Sequence, residues 1–137
     1  MKKYSFFFLL LVLLNSCSEQ AVRNNNPYLP NYTVLIDINL NLPEYSNLKF
    51  VSNAVLIPAK GVRGVVVFNT GSGYNAFDAA CPNQALSSCS TMTIKGINLL
   101  CACDNEEYSL FTGQGKLQYP LKQYRVEVNG DVLRVFN

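Results

Sequence analysis

The chain has 137 residues, room for one domain and too few for two ordinary ones. Its 49% hydrophobic and 15% charged content reads as globular and argues against disorder. There is no histidine, which excludes an imidazole general base, a Ser-His or Cys-His nucleophile and every imidazole metal ligand.

Taken in chain order, Lys2 and Lys3 precede the unbroken apolar run Phe6–Leu14, followed by Leu14-Asn15-Ser16-Cys17. That run is too short for a bilayer span, which needs about 20 residues, so residues 1–16 read as a signal peptide and contribute nothing to the fold. The Leu-x-Ser-Cys ending resembles the lipobox of bacterial lipoproteins. The resemblance implies lipidation of Cys17 by two or three acyl chains, stable membrane attachment and a place in the bacterial cell envelope, at the outer membrane or the periplasmic face. Without residues 1–16, Lys and Arg fall from 11 to 9, level with the 9 Asp and Glu. A neutral domain has no electrostatic footprint for nucleic acid. Residues 17–32 read as a lipid-anchored linker, polar over Ser18–Asn31, with the Asn24–Asn26 run and prolines at 27 and 30.

Residues 33–137 read as one all-β domain, since no stretch keeps a helical period. Strands are expected at Thr33–Ile38, Ala54–Ile57, Val65–Asn69, Tyr74–Asp78 and Asn98–Ala102. The glycine-rich segment from Asn69 to Tyr74 fits a hairpin turn. No Lys-Ser/Thr follows it to make a phosphate cradle. Asn129-Gly130 predicts a two-residue turn between Gln123–Val128 and Asp131–Phe136, with Tyr124, Val126 and Val128 on the buried face.

Beyond Cys17 there are four cysteines, Cys81, Cys89, Cys101 and Cys103. An even number in an exported chain fits disulfides, and clustering on two loops fits metal binding equally. The strand Asn75–Asp78 runs into Cys81-Pro82. Cys101-Ala-Cys103 then leads through Tyr108-Ser-Leu-Phe-Thr-Gly113 to Tyr119-Pro-Leu-Lys-Gln-Tyr-Arg-Val126 and the final hairpin.

This order and spacing resemble the Rieske domain family, from about Thr33 to Asn137 and most strongly from Val65 onward. The family's motif is Cys-x-His, fifteen to seventeen residues, then Cys-x-x-His. Cys81 and Cys101 match its cysteines, with 17 positions intervening from 84 through 100. Tyr108 matches an aromatic near the family's cluster. The resemblance implies an antiparallel β-sandwich or barrel with a small cysteine-loop lobe, and one-electron transfer through a [2Fe–2S] cluster. The chain would then be no enzyme, at most an electron-transfer component of an oxidoreductase system. The two histidine positions carry Asn83 and Asp104, and Asn105-Glu106 replaces the usual Gly-Ser.

Three readings of the four cysteines are open, the first two shaped by the resemblance and the third by ligand count alone. In the first, no cofactor is bound. Cys81 pairs with Cys101, and Cys89 with Cys103 as in family members that bridge the two loops, each bridge worth about 3 kcal/mol. In the second, Cys81 and Cys101 hold a [2Fe–2S] cluster with Cys89 and Cys103, or Asp104, replacing histidine, at a potential near about −400 mV. In the third, the four cysteines bind zinc. The expected partners are the membrane and an envelope redox or binding protein. The alternative function is a cluster-less, disulfide-stabilised interaction module. Asp104, Glu106 and Glu107 form an acidic tip, read as a solvated loop or as a docking patch for a basic partner. Asp78 reads as a turn hydrogen-bonder. Tyr74, Tyr119 and Tyr124 read as packing residues, and no residue pattern indicates catalysis.

Overall fold

The computed structural model describes residues 25–137; the signal segment and Cys17 lie outside them. Among the described residues, nine strands form two antiparallel sheets. The larger sheet runs β1 (Leu35–Asn39), β9 (Val132–Phe136), β8 (Gln123–Asn129), β4 (Tyr74–Asp78), β3 (Val65–Asn69) and β2 (Ala54–Ile57) in spatial order. The smaller holds β5 (Thr93–Lys95), β6 (Asn98–Leu100) and β7 (Glu107–Ser109). A short 3-10 turn, Ser46–Lys49, buries Leu48. The chain is therefore all-β, with a basal sheet and a small lobe built around the cysteines.

The sequence pattern accounts for the split. β3 is Val-Val-Val-Phe-Asn and is buried at every position, because successive side chains leave opposite faces of a strand. Val65 and Val67 enter the basal core with Ile36, Ile38, Leu48, Tyr124, Leu133 and Val135. Val66 and Phe68 enter the lobe core with Phe77, Met92, Leu99, Tyr108 and Leu110, and both Cys81 and Cys101 belong to that second core. One apolar strand thus serves two cores and fixes the lobe on the base.

Two expectations are corrected. The register pairs Val128 with Leu133 and Asn129 with Val132, so the final turn is Gly130-Asp131 and Asn129 belongs to the ladder. Gly130 supplies the positive φ of 62°, which a turn of this length needs at its first central position. Burial accordingly fades toward the tip, and Val128 is 55% exposed. The second correction concerns the linker, whose end is packed on the domain. Leu29 is buried, Tyr28 meets Tyr119 edge-on, and Asn26 Nδ2 donates to the Pro82 carbonyl at 2.7 Å. The buried Lys122 ammonium donates to the Pro30 carbonyl and to Asn31 Oδ1. Burial pushes that ammonium's pKa down, with the neighbouring Asp78 charge opposing the shift.

Candidate functional site

The site is the meeting of two loops, one leaving β4 and the other joining β6 to β7. Asp78 sets the first in place. It is completely buried at the end of β4 and accepts from the N–H groups of Val62, Arg63 and Ala80 and from the Tyr124 hydroxyl. The bond to Ala80 is the local turn contact its sequence position suggested; the others come from distant chain. Tyr124 is pushed far above the usual phenol range, by burial first and then by the Asp78 charge. Gly61 has φ +63°, and a Cβ there would collide with Asp78 and Tyr124, so glycine is required for this close approach. Beyond Asp78 the loop is held by Met92 N–H to Ala79 O at 2.7 Å and Cys81 N–H to Ser90 O at 2.9 Å. The second loop closes through Cys101 N–H to Glu106 O at 2.9 Å, which ends β6 at Leu100 instead of Ala102.

Two disulfides join the loops. Cys81 is bonded to Cys101 with Cα atoms 5.7 Å apart, and Cys89 to Cys103 with Cα atoms 5.2 Å apart. The bridges differ in environment. Cys81 and Cys101 are wholly buried in the lobe core, whereas Cys89 is exposed and Cys103 half-buried. The sulfurs of Cys81, Cys101 and Cys103 nevertheless lie within 4.8 Å of one another.

Asn83 and Asp104, the residues that the resemblance sets against histidine, are both committed to protein partners. Asn83 donates from Nδ2 to the Tyr108 hydroxyl and to the Tyr119 carbonyl, both at 2.8 Å. Its Oδ1 accepts from Tyr119 N–H at 2.8 Å. One amide therefore ties the Cys81 loop to β7 and to the segment before β8. Burial raises the Tyr108 phenol, the Asn83 bond opposes the rise, and the charges of Asp104 and Glu106 add to it. Gly115 lies against the Tyr108 ring, where a Cβ would come within 2.7 Å of ring carbons. Asp104 is exposed and its Oδ1 accepts from Glu106 N–H at 3.0 Å, a short turn within its own loop.

The acidic tip is likewise engaged. Glu106 Oε1 accepts from Lys116 N–H at 2.6 Å, and Glu107 pairs with Lys95 and accepts from Asn98 Nδ2 at 2.9 Å. Those contacts hold the Glu107 carboxyl below the usual carboxylate range, the Lys95 hydrogen bond first. Asn75 completes the frame, donating from β4 to the carbonyls of Leu110 and Phe111. Tyr74 packs at the margin of the basal core. Sequence reasoning missed Ser87, Ser90 and Gln84, whose polar atoms approach the sulfurs. Ser87 Oγ is 3.2 Å from Cys89 Sγ and 3.7 Å from Cys103 Sγ. Ser90 Oγ is 3.9 Å from Cys103 Sγ, and Gln84 Nε2 is 3.9 Å from Cys101 Sγ. The sequence signal was available in the density of small polar residues between Cys81 and Ser90.

The Rieske resemblance implies a [2Fe–2S] cluster, and this donor set does not fit it. A cluster needs thiolates at Cys81 and Cys101 and two further donors at the outer iron. Here all four cysteines are spent in disulfides, and Asn83 and Asp104 are bonded elsewhere. In this disulfide-bonded state the cysteines likewise offer zinc no thiolates.

No protein-family model matches the chain. No curated protein matches it either. Among solved structures it is similar to a chain in the complex of reduced oxygenase and oxidised ferredoxin of carbazole 1,9a-dioxygenase. There the identity is 20%, over 63% of this chain and 82% of that one, with a TM-score of 0.46. It is also similar to the ferredoxin of carbazole 1,9a-dioxygenase from Nocardioides aromaticivorans. That match has 17% identity, covers 65% and 90% of the two chains and has a TM-score of 0.45. A third is a Mycobacterium tuberculosis protein described as an NADH-dependent nitrite reductase small subunit. It matches at 14% identity over 78% and 97% of the chains, with a TM-score of 0.47.

Proposed function

We propose that this chain is a membrane-anchored, Rieske-like module of the bacterial envelope that works without a cluster, as a disulfide-stapled binding domain. The observation carrying the reading is that the two cysteine loops are joined to each other by two disulfides. The repurposing of Asn83 as a three-bond loop staple supports it.

The anchor is lipid on Cys17. Residues 26–31 pack against the domain beside the Cys81 loop. Nine residue steps separate Cys17 from Asn26, a reach of about 30 Å at most. A lipidated chain therefore carries its cysteine lobe close to the bilayer, and its partner is an envelope protein at that surface.

The test is to express the full chain in a bacterium and purify it from membranes without air. Incorporation of labelled palmitate that disappears in Cys17→Ala supports the anchor. A colourless, iron-free protein supports the cluster-less reading, whereas visible absorption with two irons per chain overturns it.

A further inference from the structure

The two disulfides lie close enough to exchange. We propose that the lobe is a thiol–disulfide relay, taking two electrons at Cys89–Cys103 from a dithiol protein of the envelope and passing the opened bond inward to Cys101. The proposal rests on the oxidised, cluster-free lobe of the preceding reading.

Accessibility sets the entry point. Cys89 is exposed and Cys81 and Cys101 are completely buried, so an outside thiolate reaches the outer bridge first. It attacks Cys89 Sγ, forming a mixed disulfide and releasing Cys103 as thiolate. The second thiol of the donor then resolves the mixed disulfide. The donor leaves as a disulfide, and Cys89 and Cys103 are left as thiols, having gained two electrons and two protons. The hydroxyls of Ser87 and Ser90, 3.7 and 3.9 Å from Cys103 Sγ, are placed to donate to the released thiolate.

Cys103 Sγ lies within 4.8 Å of both sulfurs of the inner bridge, about one van der Waals contact plus a small side-chain shift. Its thiolate attacks Cys81 Sγ, one S–S bond forming as the other breaks, and Cys101 departs as thiolate. Gln84 Nε2, 3.9 Å from Cys101 Sγ, faces that leaving group. The product bridge, Cys81–Cys103, still joins the same two loops. The lobe thus holds two electrons, as thiols at Cys89 and Cys101, without losing its staple.

The experiment treats the full chain, extracted from membranes, with one equivalent of dithiothreitol, quenches with acid, alkylates and maps the cysteines by mass. The expected result is label on Cys89 and Cys101 with Cys81 bonded to Cys103. Label on Cys89 and Cys103 with Cys81–Cys101 intact overturns the relay, and so does an outer bridge that resists the reductant. A Cys89→Ser variant needs no reductant, because it leaves Cys103 free beside the inner bridge. There, label shared between Cys101 and Cys103 is expected, with a smaller Cys101 share after Gln84→Leu; label on Cys103 alone refutes the exchange. Iron and sulfide in the untreated protein overturn the preceding reading instead, independently of where label falls.

Discussion

Asn83→Ala isolates the claim that Asn83 is a structural staple of the cysteine lobe. The substitution removes two donations and one acceptance that link the Cys81 loop to Tyr108 and Tyr119. Tyr108 is buried and Tyr119 half-buried, so water replaces the lost partners incompletely. At about 1 kcal/mol per neutral bond, with part of the desolvation cost of the stranded groups added, the expected loss is about 2–4 kcal/mol. That is a large share of the roughly 5–15 kcal/mol that stabilises a domain of this size. Asp104→Ala is the matched control. It removes one exposed turn bond and costs less than about 1 kcal/mol. Asn83→His keeps a polar ring at the position but offers at most one donor and one acceptor when neutral, so it recovers only part of the loss. Urea denaturation of the oxidised proteins, with unchanged slope, measures all three. An Asn83→Ala variant within about 0.5 kcal/mol of the parent, a value typical of surface substitutions, refutes the reasoning, as does an equal loss in Asp104→Ala.

Three further outcomes are expected. Replacing both Cys89 and Cys103 by Ala opens a loop of sequence separation 14 and costs about 3 kcal/mol. The same change at Cys81 and Cys101 costs about 1–2 kcal/mol more because it also removes two buried sulfurs from the lobe core; thermal melts with and without reductant report both. Above about pH 10 the unfolded chain releases phenol protons that native Tyr124 and Tyr108 retain. Their stabilisation is therefore complete below that pH and lost as pH rises, because the unfolded state binds fewer protons there. Lys122, lowered by burial, acts with the opposite sign at lower pH, below its ordinary value of 10.5, and Tyr124→Phe flattens the alkaline limb of a stability–pH curve above about pH 10. Leu29→Ser loses about 2 kcal/mol of apolar burial and exposes residues 25–31 to proteolysis, whereas equal protease resistance in parent and variant counts against the packed strap.

The basal sheet was legible because short runs rich in β-branched and aromatic residues are punctuated by glycines. β3 and β4 lie where Val65–Asn69 and Tyr74–Asp78 were read. The final hairpin slipped by one residue because Asn129 is as suited to a turn as Gly130, and only the ladder register separates them. Thr93–Lys95 is exposed throughout and Glu107–Ser109 is three residues long, too short and too polar for a period-2 signal. Gly96, with φ +60° in the turn between β5 and β6, was the cue that went unused. The cysteine loops were recognisable from order and spacing. The role of Asn83 was not, because its partners come from 25 and 36 positions along the chain. The linker misled because Leu29 is a lone aliphatic residue among asparagines and prolines, and the contacts that hold its neighbours Pro30 and Asn31 come from Lys122, 92 and 91 positions away.

The most direct test of the cluster-less lobe is an intact mass of the exported chain, measured natively without reductant and without air. Two disulfides predict a polypeptide mass four hydrogens below that of the fully reduced chain, with no inorganic adduct. A mass raised by two irons and two sulfides would contradict it, placing a cluster where the structure has two cysteine bridges.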